Sequence, residues 1–384
     1  MVKQKRAAPP PAPADPRARD GVYLGNSQDR AMRETKIRSQ AIMLQNRLQK
    51  RYRHLKKWAK LQGTDVFRLY DRDIPEIPLV LDRYGNGVSG ALYRRPYEKD
   101  DAEERRWLRA MTQSIAAALA IPADQVFLKE RKRQRGKAQY QRFRPQGTGC
   151  FIQDVHEGGL CFRVNLSDYL DTGLFPDRRK MRRLLREAAA GKRVLNLFCY
   201  TGAFSVYAAA GGAAEIDSLD LSNTYLDWAA VNFGLNHFEA HRIKTPEGGP
   251  IGLDRPGLPR YRLIRGDVLS FLAQSLRTRL SWDLIILDPP SFSNSKGMQA
   301  TLDIRRDYRK LISQCLRLLS PRGTLWFSVN AKGFRLNPQD FPGITLQDRY
   351  AESIDEDFRG KRMPAWYTFS FKEPGYSIPI LGEG

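Results

Sequence analysis

Cysteine is scarce. Four occur in 384 residues, at Cys150, Cys161, Cys199 and Cys315, with no CxxC pair and no short-spaced cysteine–histidine set. That excludes a disulfide framework and the usual structural zinc sites, and it fits a reducing cytoplasm with no bound metal. Acidic residues are in deficit as well: 42 Asp and Glu stand against 64 Lys and Arg, for a formal charge of +22. No run approaches about 18 consecutive apolar residues, which excludes a transmembrane helix and any membrane-embedded role. The opening MVKQKRAAPPPAPADPRARD is basic but has no apolar stretch, so it does not read as a secretory signal. Nothing here bears on oligomeric state.

What the chain does have is positive charge in clusters. Each phosphate that a Lys or Arg neutralises releases condensed counterions, so a clustered excess predicts a nucleic-acid partner. Residues 1–25 are rich in Pro, Ala and charge, cannot repay the entropy of ordering, and read as a disordered basic tail. Residues 26–63 form a basic helical extension, its helix predicted from Ser27 to Leu61 with Asn26 or Ser27 as cap. Leu44, Leu48, Leu55 and Trp58 give it an apolar stripe, while Arg51, Lys56 and Lys57 belong to an acid-free run that is either a solvated face or a phosphate-binding one. Residues 64–170 carry two sets of strand-like runs around one amphipathic helix (about Glu103–Ala120), a pattern that predicts a small α+β module. Its most basic segment holds Lys129, Arg131, Lys132, Arg133, Arg135 and Lys137, with Tyr140 beside them as a stacking ring. A third cluster is Arg178, Arg179, Lys180, Arg182 and Arg183.

From residue 171 to 384 the pattern becomes alternating strand and helix, which implies a parallel sheet covered on both faces. Chemistry concentrates at four strand ends. VLNLFC runs straight into YTGAFS, where a glycine turn lets the backbone approach a ligand, although the dinucleotide GxGxxG pattern is absent. EIDSLDLS ends with Asp220, an acid suited either to both ribose hydroxyls of a nucleoside cofactor or, like Ser222, to capping a helix. YRLIRGD ends with Asp267, where an adenine amino group would sit. DLIILD ends in Asp288-Pro289-Pro290, and two prolines force the chain out of a central ladder. The Gly/Pro-rich stretch 244–260 reads as a surface loop.

With those four ends in that order, the sequence resembles the class I S-adenosylmethionine-dependent methyltransferases, whose fold is Rossmann-like α/β. Through NRLQK, FRLYDRDIPE, LKERKRQRGKAQYQ, VNLSDYLDTGLFPDRR, LNLFCYTGAFSV, LDLSNTYLDWAAVNFGLN and LDPPSFSNSKGM it is most similar to the guanine-N7 half of the fused bacterial 23S rRNA methyltransferases K/L. The other half of those fused proteins is not in this chain. The resemblance implies S-adenosylmethionine as cofactor and 23S rRNA, free or in a large-subunit precursor particle, as partner. It implies that Asp171, Thr172, Gly173, Phe175 and Arg178 cover the methionyl end. Asn196, Phe198, Tyr200 and Gly202 would line the cofactor, Asp220 with Ser222 and Asp267 would hold its nucleoside, and Asp288 would stand at the mouth.

Which base is methylated divides three ways. Guanine N7 carries a free lone pair and needs no proton removed, which suits a site without an obvious base. Cytosine C5 requires a cysteine nucleophile, and related enzymes carry it after a strand where this chain has Phe327-Ser328-Val329-Asn330. Guanine N2 is associated with an Asn-Pro-Pro-Tyr-like motif, from which Asp-Pro-Pro-Ser-Phe departs. A non-catalytic RNA-binding assembly factor on the same fold is the reading from another class. In all of them Phe292 is a candidate to hold a flipped base face-on, or else a core residue, and Asn294 and Lys296 are candidates for its edge.

Overall fold

The computed structural model describes residues 23–93, 100–130, 150–244, 250, 252–253, 256–293 and 301–373. A long helix, α1 (Tyr23–Leu61), opens the described chain. The predicted caps Asn26 and Ser27 fall inside it, because the helix already begins at Tyr23 and no proline interrupts the residues between. Leu44, Leu48 and Leu55 are fully buried along its stripe. They pack on β1 (Val66–Asp71), β2 (Leu79–Tyr84), β3 (Gly87–Leu92), α2 (Asp101–Leu119) and β4 (Val126–Glu130), whose four strands form one sheet in sequence order. Asp100 caps α2 by accepting the Glu103 amide at 2.7 Å.

The two strand sets expected in one module separate. The hairpin β5 (Ile152–Glu157) and β6 (Leu160–Asn165) forms its own two-stranded sheet. Its Val155, Phe162 and Val164 are buried with the helices that follow, not with α1 and α2. The cause lies in the partners: Asn232 and Asn236 of the later domain accept the Arg163 and Cys161 amides at 2.9 and 2.8 Å.

The second half alternates as expected. In chain order come α3 (Arg179–Ala188), β7 (Arg193–Leu197), α4 (Ala203–Ala210), β8 (Glu215–Asp220), α5 (Asn223–Leu235), β9 (Ala240–Ile243), β10 (Tyr261–Arg265), α6 (Val268–Ser275) and β11 (Trp282–Leu287). A short pair, β12 (Phe292–Ser293) and β13 (Leu302–Asp303), precedes α7 (Ile304–Leu316), β14 (Leu319–Val329), β15 (Ile344–Asp348), α8 (Tyr350–Ser353) and β16 (Ala365–Phe371). The eight-stranded sheet runs β15-β16-β14-β11-β7-β8-β10-β9, parallel except where β16 lies antiparallel to both neighbours. Alternate residues feed two cores: Val194, Ile216, Leu284 and Ile286 meet α3, α4 and α5, while Leu195, Leu219, Ile285 and Leu287 meet α6 and α7. This is the doubly wound, Rossmann-like α/β fold. Within the 244–260 stretch, Leu253 is buried in the second of these cores. No described helix is long and apolar enough to cross a membrane.

The two halves are joined by buried charge. Arg179 donates to Asp355 and Asp357 at 3.2 and 3.0 Å and also to the Val66 carbonyl, with its guanidinium 5.1 Å over the Trp58 ring. Arg182 grips Glu157 at 2.6 and 2.8 Å and the Phe175 carbonyl at 2.9 Å. Both arginines are sealed from solvent, so two members of the third basic cluster are structural. Breaking a buried pair leaves an uncompensated charge and costs about 3–5 kcal/mol. Arg182→Met should therefore lower the urea unfolding midpoint by the equivalent of that range, whereas Arg183→Met, at an exposed pair, should cost under about 1 kcal/mol.

Candidate active site at the carboxyl edge of the sheet

Strand order reverses between β7 and β11, where β8, β10 and β9 continue on one side and β14 on the other. Chains leaving opposite ways at such a point open a crevice at the strands' carboxyl ends. The loop after β7 enters it in an unusual conformation: Phe198, Tyr200 and Gly202 all have positive φ, at 56°, 52° and 72°. For bulky residues that backbone costs of order 1–3 kcal/mol and is kept only where the surroundings over-determine it. Asp220 supplies part of that determination by accepting the Tyr200 amide at 2.9 Å and, on its other oxygen, the Ser222 amide at 2.9 Å. Gly202 is obligatory for a second reason, since a Cβ there would lie 2.8 Å from that of Ala229 on α5.

Opposite this loop stands the 171–178 segment. Thr172 is buried, donates to the Tyr84 hydroxyl at 2.8 Å, and Tyr84 in turn donates to the Leu174 carbonyl at 2.8 Å. Gly173 has φ of 103°, and a Cβ on it would meet the Trp228 ring at 2.3 Å. Its carbonyl accepts the Thr201 hydroxyl at 2.6 Å, tying the two loops together. Phe175, Tyr225 and Trp228 surround the Tyr200 ring at centroid distances of 5.3, 4.6 and 6.5 Å. Tyr225 and Trp228 escaped the sequence reading, although their i, i+3 spacing one turn beyond the Asp220 strand end was a usable signal.

Arg178 turns from this wall to Asp288, at 2.9 and 3.1 Å in a bidentate pair, and also meets Asp177 at 3.1 Å. Its side chain is 11% exposed, so it is committed to the mouth and not to a free basic surface. Pro289 and Pro290 carry the chain out of β11 as expected, and Phe292 follows at 49% exposure, which removes the core reading.

Other expected residues have protein partners of their own. Asn196 is 1% exposed and donates to the Ser205 hydroxyl at 2.9 Å, which is joined to Ser218 at 2.7 Å. It braces β7, α4 and β8 from within the core. Asp267 caps α6 by accepting the Ser270 amide at 2.9 Å, and Ser222 caps α5. Lys129, expected on an RNA-binding surface, is 5% exposed and donates to the Tyr169 carbonyl, two residues before Asp171. Burial pushes its ammonium down to about 8. Arg51 is spent on the Asp357 carbonyl at 2.9 Å, whereas Lys56 and Lys57 remain exposed. Arg131, Arg133, Arg135, Lys137, Tyr140, Asn294 and Lys296 lie outside the described residues.

The crevice suits a nucleoside cofactor. Among the described residues no cation pairs with Asp220, and burial pushes its carboxyl up to about 6 against the pull of main-chain amides. Such a group gains by accepting hydroxyl donors. The Tyr200 hydroxyl, near the Gly173 main chain, is buried without a well-formed hydrogen bond.

Residues 66–247 match the family described as S-adenosylmethionine-dependent methyltransferase. The ribosomal RNA large subunit methyltransferase K of Neisseria meningitidis is 42% identical over 318 residues, which cover 83% of this chain and 84% of that protein. The chain belongs to this methyltransferase family. The methyltransferase K/L of Hahella chejuensis is 43% identical over 84% of this chain, which spans 42% of that longer protein. Among solved structures, a methyltransferase complexed with SAH is 25% identical, with a TM-score of 0.63 over 86% of this chain and 81% of that one. The cofactor of this methyltransferase is S-adenosylmethionine.

Two outcomes test the crevice. Gly173→Ala should weaken S-adenosylmethionine binding in calorimetry about tenfold or more, because Trp228 must move. The Asp220 carboxyl, raised when folded, contributes stability present below about pH 4 and lost as pH rises through about 6. Cofactor affinity should run oppositely, flat above that value and falling toward tenfold per pH unit beneath it, and Asp220→Asn should remove this dependence.

Proposed function

We propose that this methyltransferase acts on 23S rRNA, on the free RNA or a large-subunit precursor particle, and transfers its methyl group to guanine N7. The observation that carries the substrate is the 42% identity to a ribosomal RNA large subunit methyltransferase over 84% of that protein's length. The net charge of +22 and the exposed Lys56 and Lys57 support a polyanionic partner.

Bound S-adenosylmethionine supplies an electrophilic methyl on a sulfonium, so the protein's task is chiefly alignment. We assign Asp220 to the ribose hydroxyls, Asp171 to Phe175 with Tyr200 to the methionyl side, and Asp267 to the adenine edge with the carboxylate capacity left after capping α6. Asp288 stands between cofactor and base, its orientation fixed by Arg178. Phe292, exposed just past Pro290, offers a face on which an unstacked guanine rests, and Asn294 and Lys296 follow it in the chain.

The choice of N7 is supported by what the residues are equipped to do. Cys199 and Cys315 are buried, and burial pushes both thiols up, so neither is poised as a thiolate to add to a cytosine ring. Asp288 is already engaged by a guanidinium, which opposes its taking a proton from an exocyclic amine. Nitrogen N7 asks for neither service. The four strand ends are intact, which disfavours a non-catalytic assembly factor. We read residues 1–25, 26–63 and 171–384 as tail, helical extension and catalytic domain, and 64–170 as an RNA-binding module apart from its β5–β6 hairpin, which packs with the catalytic domain, with 131–140 contributing to the RNA surface.

Incubation of protein-free 23S rRNA with methyl-labelled cofactor, followed by nucleoside mass spectrometry, should place the label in 7-methylguanosine, and Asp288→Ala should abolish it. Label in N2-methylguanosine or 5-methylcytidine would overturn the base assignment while leaving the family intact.

A further inference from the structure

Away from the crevice, a groove of about 720 Å³ follows the outer flank of α3. Its walls come from two parts of the chain that sequence distance keeps apart. On one side, α3 buries Arg179, Met181, Arg182 and Leu185 and leaves Lys180, Arg183 and Arg186 lining the groove. On the other, Leu61 ends α1 and Gln62 and Gly63 follow it, just after the exposed Lys56, Lys57 and Lys60. The Gly158–Gly159 turn and Tyr207 complete the lining.

The charge balance in this groove is positive. Asp355 is held by Arg179. Glu187 faces Arg183 at 3.7 Å with both side chains 61% exposed, a pairing worth little in water. Lys180 has no ion pair among the described residues, and Arg186 uses one nitrogen on the Gly158 carbonyl at 3.1 Å. Leu61, at 84% exposure, adds an apolar surface on the rim. Glycine main chain allows close approach. Cations flanking an apolar platform suit a strand whose bases are unstacked, since a duplex keeps its base faces inside.

The groove also has a direction. Helix α3 has ten residues and is about 15 Å long. It starts one residue after Arg178, which clasps Asp288 at the mouth. A strand lying along α3 therefore leads to the place where the target nucleotide is presented.

We propose that this groove holds the single-stranded RNA flanking the target nucleotide, with Lys180, Arg183 and Arg186 on its phosphates. The proposal rests on the RNA reading above and extends it to a defined path.

The test is binding of a fluorescein-labelled oligouridylate to the full chain by anisotropy, between about 50 and 200 mM salt. Every single-strand phosphate that a variant no longer neutralises should make the log–log salt slope shallower by about 0.7. Lys180→Ala with Arg183→Ala should thus flatten it by about 1.4, with S-adenosylmethionine affinity unchanged as the check on folding. Glu187→Gln, which releases Arg183, should tighten binding. Unaltered slope and affinity in both variants would overturn the proposal and assign the groove to a partner other than RNA. A wild-type chain that binds no RNA at any salt would sink the RNA reading itself, a result distinguishable from failure of the groove alone.

Discussion

The buried guanidinium pairs at the start of α3 join the two parts of this molecule and fix the carboxyl end of β11. Two consecutive arginines there face opposite tasks. Arg179 is surrounded by Asp355, Asp357, the Val66 carbonyl and Trp58, so it locks the small N-terminal sheet and the C-terminal segment to one point. Arg178 reaches the end of β11 and fixes Asp288. A guanidinium can satisfy such a crowd because its five donors lie in one rigid plane and it never loses its charge. Lysine could not replace either residue without leaving carboxylates unpaired. The first turn of α3 is therefore the reference from which both the small N-terminal sheet and the carboxyl end of β11 are positioned.

The loop after β7 is strained and is held by its own neighbours. Phe198 and Tyr200 hold a backbone that side chains with a Cβ avoid, and they do so between a buried carboxylate and a wall of aromatic rings. The cost is offset by that packing and by the two main-chain amides that Asp220 accepts.

Strand ends were legible in the sequence because their signals are local. A continuous apolar run, then Gly202, Asp220, Asp267 or Pro289, marks a strand and the place where it stops. Which arginines and lysines meet solvent was not legible. The partners that bury them are remote: Arg179 finds Asp357, and Lys129 finds Tyr169, through the fold alone. Charge runs predict a surface only when every member stays outside, and here Arg51, Lys129, Arg178, Arg179 and Arg182 are drawn in.

The Tyr84–Thr172–Leu174 relay bears on how such a protein can be rearranged over evolution. A phenol at the end of β2 closes on the loop of Thr172 and Leu174, so the sheet of β7 to β16 is not an interchangeable cassette. A chain cut just before the loop would strand Thr172 and Leu174 without their counterpart. The matched family segment starts at Val66, the first residue of β1, and so keeps Tyr84 with its loop. Fusion to other modules is compatible with this chemistry ahead of that strand, and inheritance of the crevice requires the small sheet to travel with it.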